Sequence, residues 1–111
     1  MNHNIKTKWV AALRSGDYKQ TKGALRRPPG ADYPEGYCCL GVLCEVVKPN
    51  APWLKDGDRY TLLGAAGVAP QSIVQQLGLT FDDQGAYNLL PHMNDGGRTF
   101  EEIADFIEER L

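Results

Sequence analysis

The spacing of apolar positions predicts helices over most of the chain. Ile5, Trp9, Val10 and Leu13 recur on one side of a 3.6-residue period and predict a first helix over 4–15. Asn4 is its expected cap, and Gly16 suits the left-handed position beyond its end. Leu40, Leu43, Cys44 and Val47 follow i, i+3, i+4, i+7 spacing within 37–47, where Glu45 is the single charge. A helix apolar nearly all round belongs at the centre of a domain. Gly41 in its middle costs about 1 kcal/mol relative to alanine, so another backbone is expected to pass close by. A third helix is expected to begin at Pro70, a favourable first helical residue, and to end before Gly78, with Ile73, Val74 and Leu77 inward and Leu79 closing its end. Residues 87–93 predict a short helix at best, because Pro91 interrupts the pattern. The last helix has the clearest start: Thr99 and Glu102 form a capping box. Phe100, Ile103, Ala104, Ile107 and Leu111 then make one apolar face opposite Glu101, Asp105, Glu108 and Glu109. That face is expected to pack on the central or the first helix.

Two stretches escape this period. Asp56-Gly57 is a hairpin turn signal between Trp53-Leu54-Lys55 and Arg59-Tyr60-Thr61-Leu62. Residues 17–36, with Pro28-Pro29-Gly30 and Pro34-Glu35-Gly36, predict neither helix nor useful strand. A connection this long is uncommon in a compact domain and tends to carry function. Tyr18, Gln20, Leu25 and Tyr33 give it contact surface, and little of it is expected to serve the core. The expected fold is therefore mainly α, with α+β allowed. It is a single domain over 1–111, with four to five short helices around a central cysteine-rich helix, one long N-terminal loop and a small β-hairpin.

Charge sharpens the interest in that loop. Residues 1–36 carry seven basic and three acidic side chains, and residues 37–111 carry five and eleven. The basic front is expected to be neutralised in part by the acidic last helix. Lys19, Lys22, Arg26 and Arg27 still lie in one segment and suit an anionic ligand. The pI near 5.6 and the absence of a helix with a row of Lys or Arg argue against nucleic-acid binding. No apolar run approaches the roughly 20 residues that span a bilayer. Without a basic-then-apolar leader, a soluble cytoplasmic protein is expected.

All three cysteines, Cys38, Cys39 and Cys44, fall within seven residues. Structural zinc sites pair cysteines two to four residues apart, whereas Cys38 and Cys39 are adjacent and the two histidines, His3 and His92, are remote. A metal site is not expected, nor a cofactor. A catalytic cysteine with His92 as base and Asn94 or Asp95 as orienter would need an accessible thiol of lowered pKa. The apolar surroundings favour a buried core element instead.

Trp9 with Ala12-Leu13-Arg14-Ser15-Gly16, then Tyr18, Gln20, Gly23 and Leu25, resembles part of a pattern found in short proteins of tailed phages and prophages. Tyr37-Cys38-Cys39-Leu40-Gly41-Val42-Leu43-Cys44 is its most specific portion, and Asn94-Asp95, Thr99-Phe100 and Ile103-Ala104 complete it. Pro91 departs from it. The resemblance implies no particular activity. It implies a phage gene product acting in the infected bacterial cytoplasm, as accessory or counter-defence proteins do.

The expected function is that of a non-catalytic binding protein. It would sequester a small anionic, nucleotide-like ligand or block a host protein. Tyr18, Lys19, Gln20, Lys22 and Arg26 supply an aromatic face, an amide and cations, and Asn94 and Asp95 add hydrogen-bonding groups. A small cysteine-dependent enzyme and a nucleic-acid-binding protein are the alternatives. Homo-oligomerisation is compatible with the sequence.

Overall fold

A computed structural model of the chain describes residues 1–30 and 34–111, so Tyr33 lies outside the described residues. Five helices surround one core: α1 (His3–Arg14), α2 (Cys39–Val47), α3 (Gln71–Gln76), α4 (Phe81–Asp95) and α5 (Phe100–Arg110). Two antiparallel strand pairs accompany them, β1 (Arg26–Arg27) with β2 (Gly36–Tyr37) and β3 (Leu54–Asp56) with β4 (Arg59–Thr61). The fold is mainly α with a small β component.

The central position of α2 follows from its composition. Cys39 through Cys44 are all buried, and α1, α3 and α4 pack around them. Trp9 of α1 is fully buried and donates its indole N–H to the Cys39 carbonyl at 3.0 Å. The apolar face of α5, with Ile103, Ala104 and Ile107 fully buried, lies mainly against α1. On the wet side of that contact the Arg14 guanidinium bonds Glu101, Asp105 and Glu108, so one cation of the basic front is neutralised by the acidic last helix. These pairs are largely exposed, and exposed pairs contribute little beyond orientation.

Several boundaries differ from the sequence expectation, each for a local reason. Asn2, not Asn4, caps α1, its side chain accepting the Ile5 N–H. Pro70 precedes α3 as its cap residue instead of opening it. The central helix starts at Cys39, because Gly36 and Tyr37 pair with β1 and the Cys38 N–H donates to the Leu25 carbonyl. Largest is the change at α4, which runs unbroken from 81 to 95 through Pro91. Proline removes one helical donor there. The burial of Tyr87, Leu90 and Asn94 on either side holds the helix together. Its start has a capping box of its own, Thr80 with Asp83.

The N-terminal loop is integrated into the core, contrary to the expectation that it gains little there. Leu25 is fully buried, with Thr21 and Ala24 nearly so. The loop runs along both sides of Tyr37: Gln20 bridges it in parallel and Arg26 pairs with it antiparallel. Leu25 is fixed by its own backbone, donating to the Ala66 carbonyl at 2.7 Å and accepting from Cys38 at 3.1 Å. Its carbonyl lies against α2 where Gly41 has no side chain, and a Cβ at position 41 would overlap it. Gly36 plays a similar part with φ +143°, since a Cβ there would overlap the Lys19 carbonyl.

Gly41→Ala tests this arrangement. Alanine favours the helix by about 1 kcal/mol, yet overpacking costs typically 1–3 kcal/mol, and here backbone is the obstacle. A net loss of stability in chemical denaturation is expected, and an unchanged or raised midpoint contradicts the close approach.

Candidate functional site

The residues singled out in the sequence are distributed over three environments. Asn94 is fully buried and joins the loop to two helices. Its Oδ1 accepts the Cys39 N–H at 3.1 Å and the Gln20 side-chain amide at 2.9 Å, while its Nδ2 donates to the Thr21 carbonyl at 2.8 Å. Gln20 also donates to the Arg98 carbonyl at 2.8 Å, and the Asp95 carboxylate accepts the Gly23 N–H at 3.0 Å. These three side chains hold the loop to the α4–α5 turn. Lys22 lines a separate cleft with Gln20, Thr21, Pro34, Gly97 and Arg98.

Lys19 and Arg26 meet in a different place. They line a cleft of about 230 Å³ together with Asp17, Arg27, Pro28, Pro29, Glu35, Gly36, Tyr37 and Tyr60. Drug-sized pockets run from about 300 Å³ upward, so this volume suits one anionic group and part of a ring. Lys19 is 77% exposed and pairs with Glu35 at 3.2 Å, a weak surface pair. Arg27 is buried and committed to the scaffold, donating to the Lys22 carbonyl, the Asp58 carbonyl and the Asp58 carboxylate.

Arg26 stands apart from its neighbours. Its guanidinium carbon lies 4.4 Å from the Tyr60 ring centroid, 5.1 Å from Tyr37 and 5.6 Å from Trp53. The pairing of β1 with β2 sets it against Tyr37, and the packing of β1 beside β4 sets it against Tyr60. Four rings form an edge-to-face row: Tyr18 on Tyr37 at 5.1 Å, Tyr37 on Trp53 at 6.2 Å, Trp53 on Tyr60 at 6.5 Å. Each cation–π contact contributes about 0.5–2 kcal/mol according to its exposure. Among the described residues the Arg26 guanidinium makes no hydrogen bond or ion pair. The rings hold the charge in place, and among the described residues its N–H donors have no partner.

Glu45 fixes two of those rings from below. Its carboxylate accepts the Trp53 indole N–H at 2.8 Å and the Tyr37 hydroxyl at 3.3 Å. Burial, then the Glu45 charge, pushes the Tyr37 hydroxyl up to about 12 and raises that of Tyr18 as well. Sequence reading did not find Tyr37, Glu45, Trp53 or Tyr60, since they come from three segments and look individually like core or hairpin residues. The one available signal was the hairpin, where Trp53 and Tyr60 flank the same turn.

The cysteines are core residues. Cys39 and Cys44 are fully buried and Cys38 is 6% exposed. Burial pushes the Cys38 thiol up to about 11 and Cys44 up to about 12, and Cys39 well above the ordinary value near 9. Cys38 does stand at the start of α2, but burial outweighs any help from the helix end.

The chain belongs to the family described as a domain of unknown function, DUF8296, which it matches over residues 1–111. No curated protein and no solved structure matches it.

Two outcomes follow from this geometry. Asn94→Ala leaves the buried Cys39 N–H without a partner and is expected to cost at least about 2 kcal/mol, against about 1 kcal/mol for Asp95→Ala, by the penalty for unsatisfied buried groups. Equal effects in urea denaturation would contradict the assignment of Asn94 as the internal lock. The thiols give a pH signature. Their folded pKa values exceed the unfolded value, so their contribution to stability is full below about pH 9 and is lost as pH rises toward 12. Denaturation midpoints should fall over that alkaline range, and less steeply in Cys44→Val; identical slopes would place Cys44 outside the core.

Proposed function

We propose that this chain is a non-catalytic binding protein that sequesters a small anionic ligand, and that Arg26 is the group that recognises the anion. The observation that carries this reading is a guanidinium held among three aromatic rings, with no hydrogen bond or ion pair of its own among the described residues. A planar fork of N–H donors matches a phosphate or carboxylate in bidentate fashion. The neighbouring rings and the Pro28-Pro29 wall suit a flat, nucleotide-like group attached to that anion. Asp17, on the same cleft, can accept from a ligand hydroxyl. The resemblance to short tailed-phage proteins supports an accessory role in an infected bacterial cytoplasm.

The alternatives have less support. Deeply buried thiols with raised pKa values lack the access and the thiolate that covalent catalysis needs. The basic residues of the N-terminal third do not line up for a duplex either. Arg14 faces the α5 carboxylates, Lys19 faces Glu35 and Arg27 faces Asp58.

Titration with adenosine monophosphate, adenosine and inorganic phosphate tests the proposal. Trp53 beside Arg26 should report binding by fluorescence, because Trp9 is fully buried elsewhere. Adenosine monophosphate should bind more tightly than adenosine, and more weakly as salt rises. Arg26→Gln should reduce its affinity about 10- to 100-fold, the worth of a charge-assisted hydrogen bond. Arg26→Lys should restore only part, since an ammonium lacks the fork and the stacking plane. Arg26→Gln binding like the parent would move the site elsewhere.

A further inference from the structure

Where the N-terminal loop meets the α4–α5 turn, Gln20, Thr21, Lys22, Pro34, Gly97 and Arg98 line a cleft of about 470 Å³ that shares no lining residue with the Arg26 cleft. That volume lies within the range of small-molecule sites. Among the described residues its lining carries two cations and no carboxylate, in a chain whose net charge is −2. The Arg26 cleft, by contrast, sets Asp17 and Glu35 among its cations. Asp95, close by in the turn, is committed to the Gly23 N–H and the Asn94 amide. The Lys22 ammonium has no hydrogen bond or ion pair among the described residues. It lies 3.9 Å from where a Cβ on Gly97 would stand, so it is folded over the turn. Gly97 keeps that approach open with φ +98°, which side chains rarely adopt. Arg98 gives one nitrogen to Glu102 at 3.2 Å, an exposed pair with which a ligand can compete. Thr21 supplies a second, independent observation. It is the one buried residue of the lining, 1% exposed, and its backbone is fully used. Its N–H donates to the Tyr37 carbonyl at 2.9 Å, and its carbonyl accepts the Asn94 amide at 2.8 Å. Its hydroxyl is buried without a partner among the described residues, whereas buried hydroxyls in native proteins are as a rule paired.

We infer that this cleft is a second anion site, and that it takes the phosphate monoester of a hydroxyl-bearing molecule such as a sugar phosphate. The phosphate oxygens accept from Lys22 and Arg98 at the rim and from the Thr21 hydroxyl at the floor. Two cations on one cleft repel each other, and an anion between them turns that repulsion into attraction. Gln20 donates both its amide protons to the scaffold, to Asn94 and to the Arg98 carbonyl. Its oxygen is therefore the group left to accept from a ligand hydroxyl. Pro34 adds an apolar wall, and the cleft is larger than a bare phosphate needs, which leaves room for the esterified part. The site stands on its own residues and does not rest on the reading of Arg26.

Amide spectra of the full nitrogen-15-labelled chain, titrated with glucose 6-phosphate at constant ionic strength, test this. The Gly97 amide should shift in a saturable manner, in the parent and equally in Arg26→Gln. Inorganic phosphate should give the shift at lower affinity, and glucose should give none. Lys22→Gln and Arg98→Gln, both at exposed positions, should each weaken glucose 6-phosphate about tenfold while helical circular dichroism is kept. Thr21→Val keeps the shape of the side chain and should weaken it by about as much. The same variant should leave the denaturation midpoint of the unliganded chain unchanged or higher, because the hydroxyl it removes has no partner to lose among the described residues. A Gly97 shift lost in Arg26→Gln but kept in the Lys22 and Arg98 variants overturns the inference and leaves the Arg26 site standing. No saturable Gly97 shift up to about 50 mM, far above the affinity of a built site, overturns it as well. Equal affinities for inorganic phosphate and glucose 6-phosphate overturn the ligand class.

Discussion

The backbone of Leu25 rests on the surface of α2 at Gly41, and a side chain at position 41 would close the gap it occupies. Much of the molecule is ordered around this contact. With its carbonyl against α2, Leu25 buries its side chain in the core and accepts the Cys38 N–H, which ends the extended run before the helix. Its own N–H reaches the Ala66 carbonyl and ties in the segment after the β3–β4 hairpin. The next residue along is Arg26. Its place among Tyr37, Trp53 and Tyr60 is thus a consequence of where Leu25 is pinned, and the recognition group sits one residue from a core anchor.

A second, polar lock complements this apolar one. The single amide of Asn94 serves the loop, the start of α2 and the end of α4 together, through Gln20, Thr21 and Cys39. Burying an amide is costly unless every group is matched, and here both its oxygen and its nitrogen are. The same low-dielectric surroundings that strengthen these bonds raise the thiol pKa values nearby. Gln20, Asn94 and Asp95 thereby serve the structure, while the Arg26 guanidinium has no hydrogen-bond or ion-pair partner among the described residues.

Features encoded within one element were legible in the sequence. The Thr99–Glu102 capping box, the apolar face of α5 and the burial of the cysteine segment each follow from the spacing of near neighbours, and a glycine inside an apolar helix signalled the close approach at Gly41, though not that Leu25 makes it. The hairpin turn was readable for the same reason. Most of what failed was non-local. Pro91 reads as a breaker until Tyr87, Leu90 and Asn94 are seen to be buried around it. The Thr80–Asp83 box that starts α4 was a local signal that went unread. Residues 17–36 look structureless because their partners lie outside the segment: Tyr37 beyond two proline breaks, Ala66 and Asn94 far along the chain. Of the candidate site, the cations Lys19 and Arg26 were legible, but the rings that orient Arg26 come from three separate segments and carry no joint signature.

Two adjacent arginines with opposite commitments offer the most direct test. Arg27 donates its Nε–H to the Lys22 carbonyl, whereas Arg26 is held by ring faces alone among the described residues. Nitrogen-15 spectra of the arginine side chains, followed during titration with inorganic phosphate, report each Nε–H separately. The Arg26 Nε–H resonance is expected to shift in a saturable manner while that of Arg27 stays in place. A saturable shift at Arg27 with none at Arg26 would contradict it, as would the absence of a saturable shift at both.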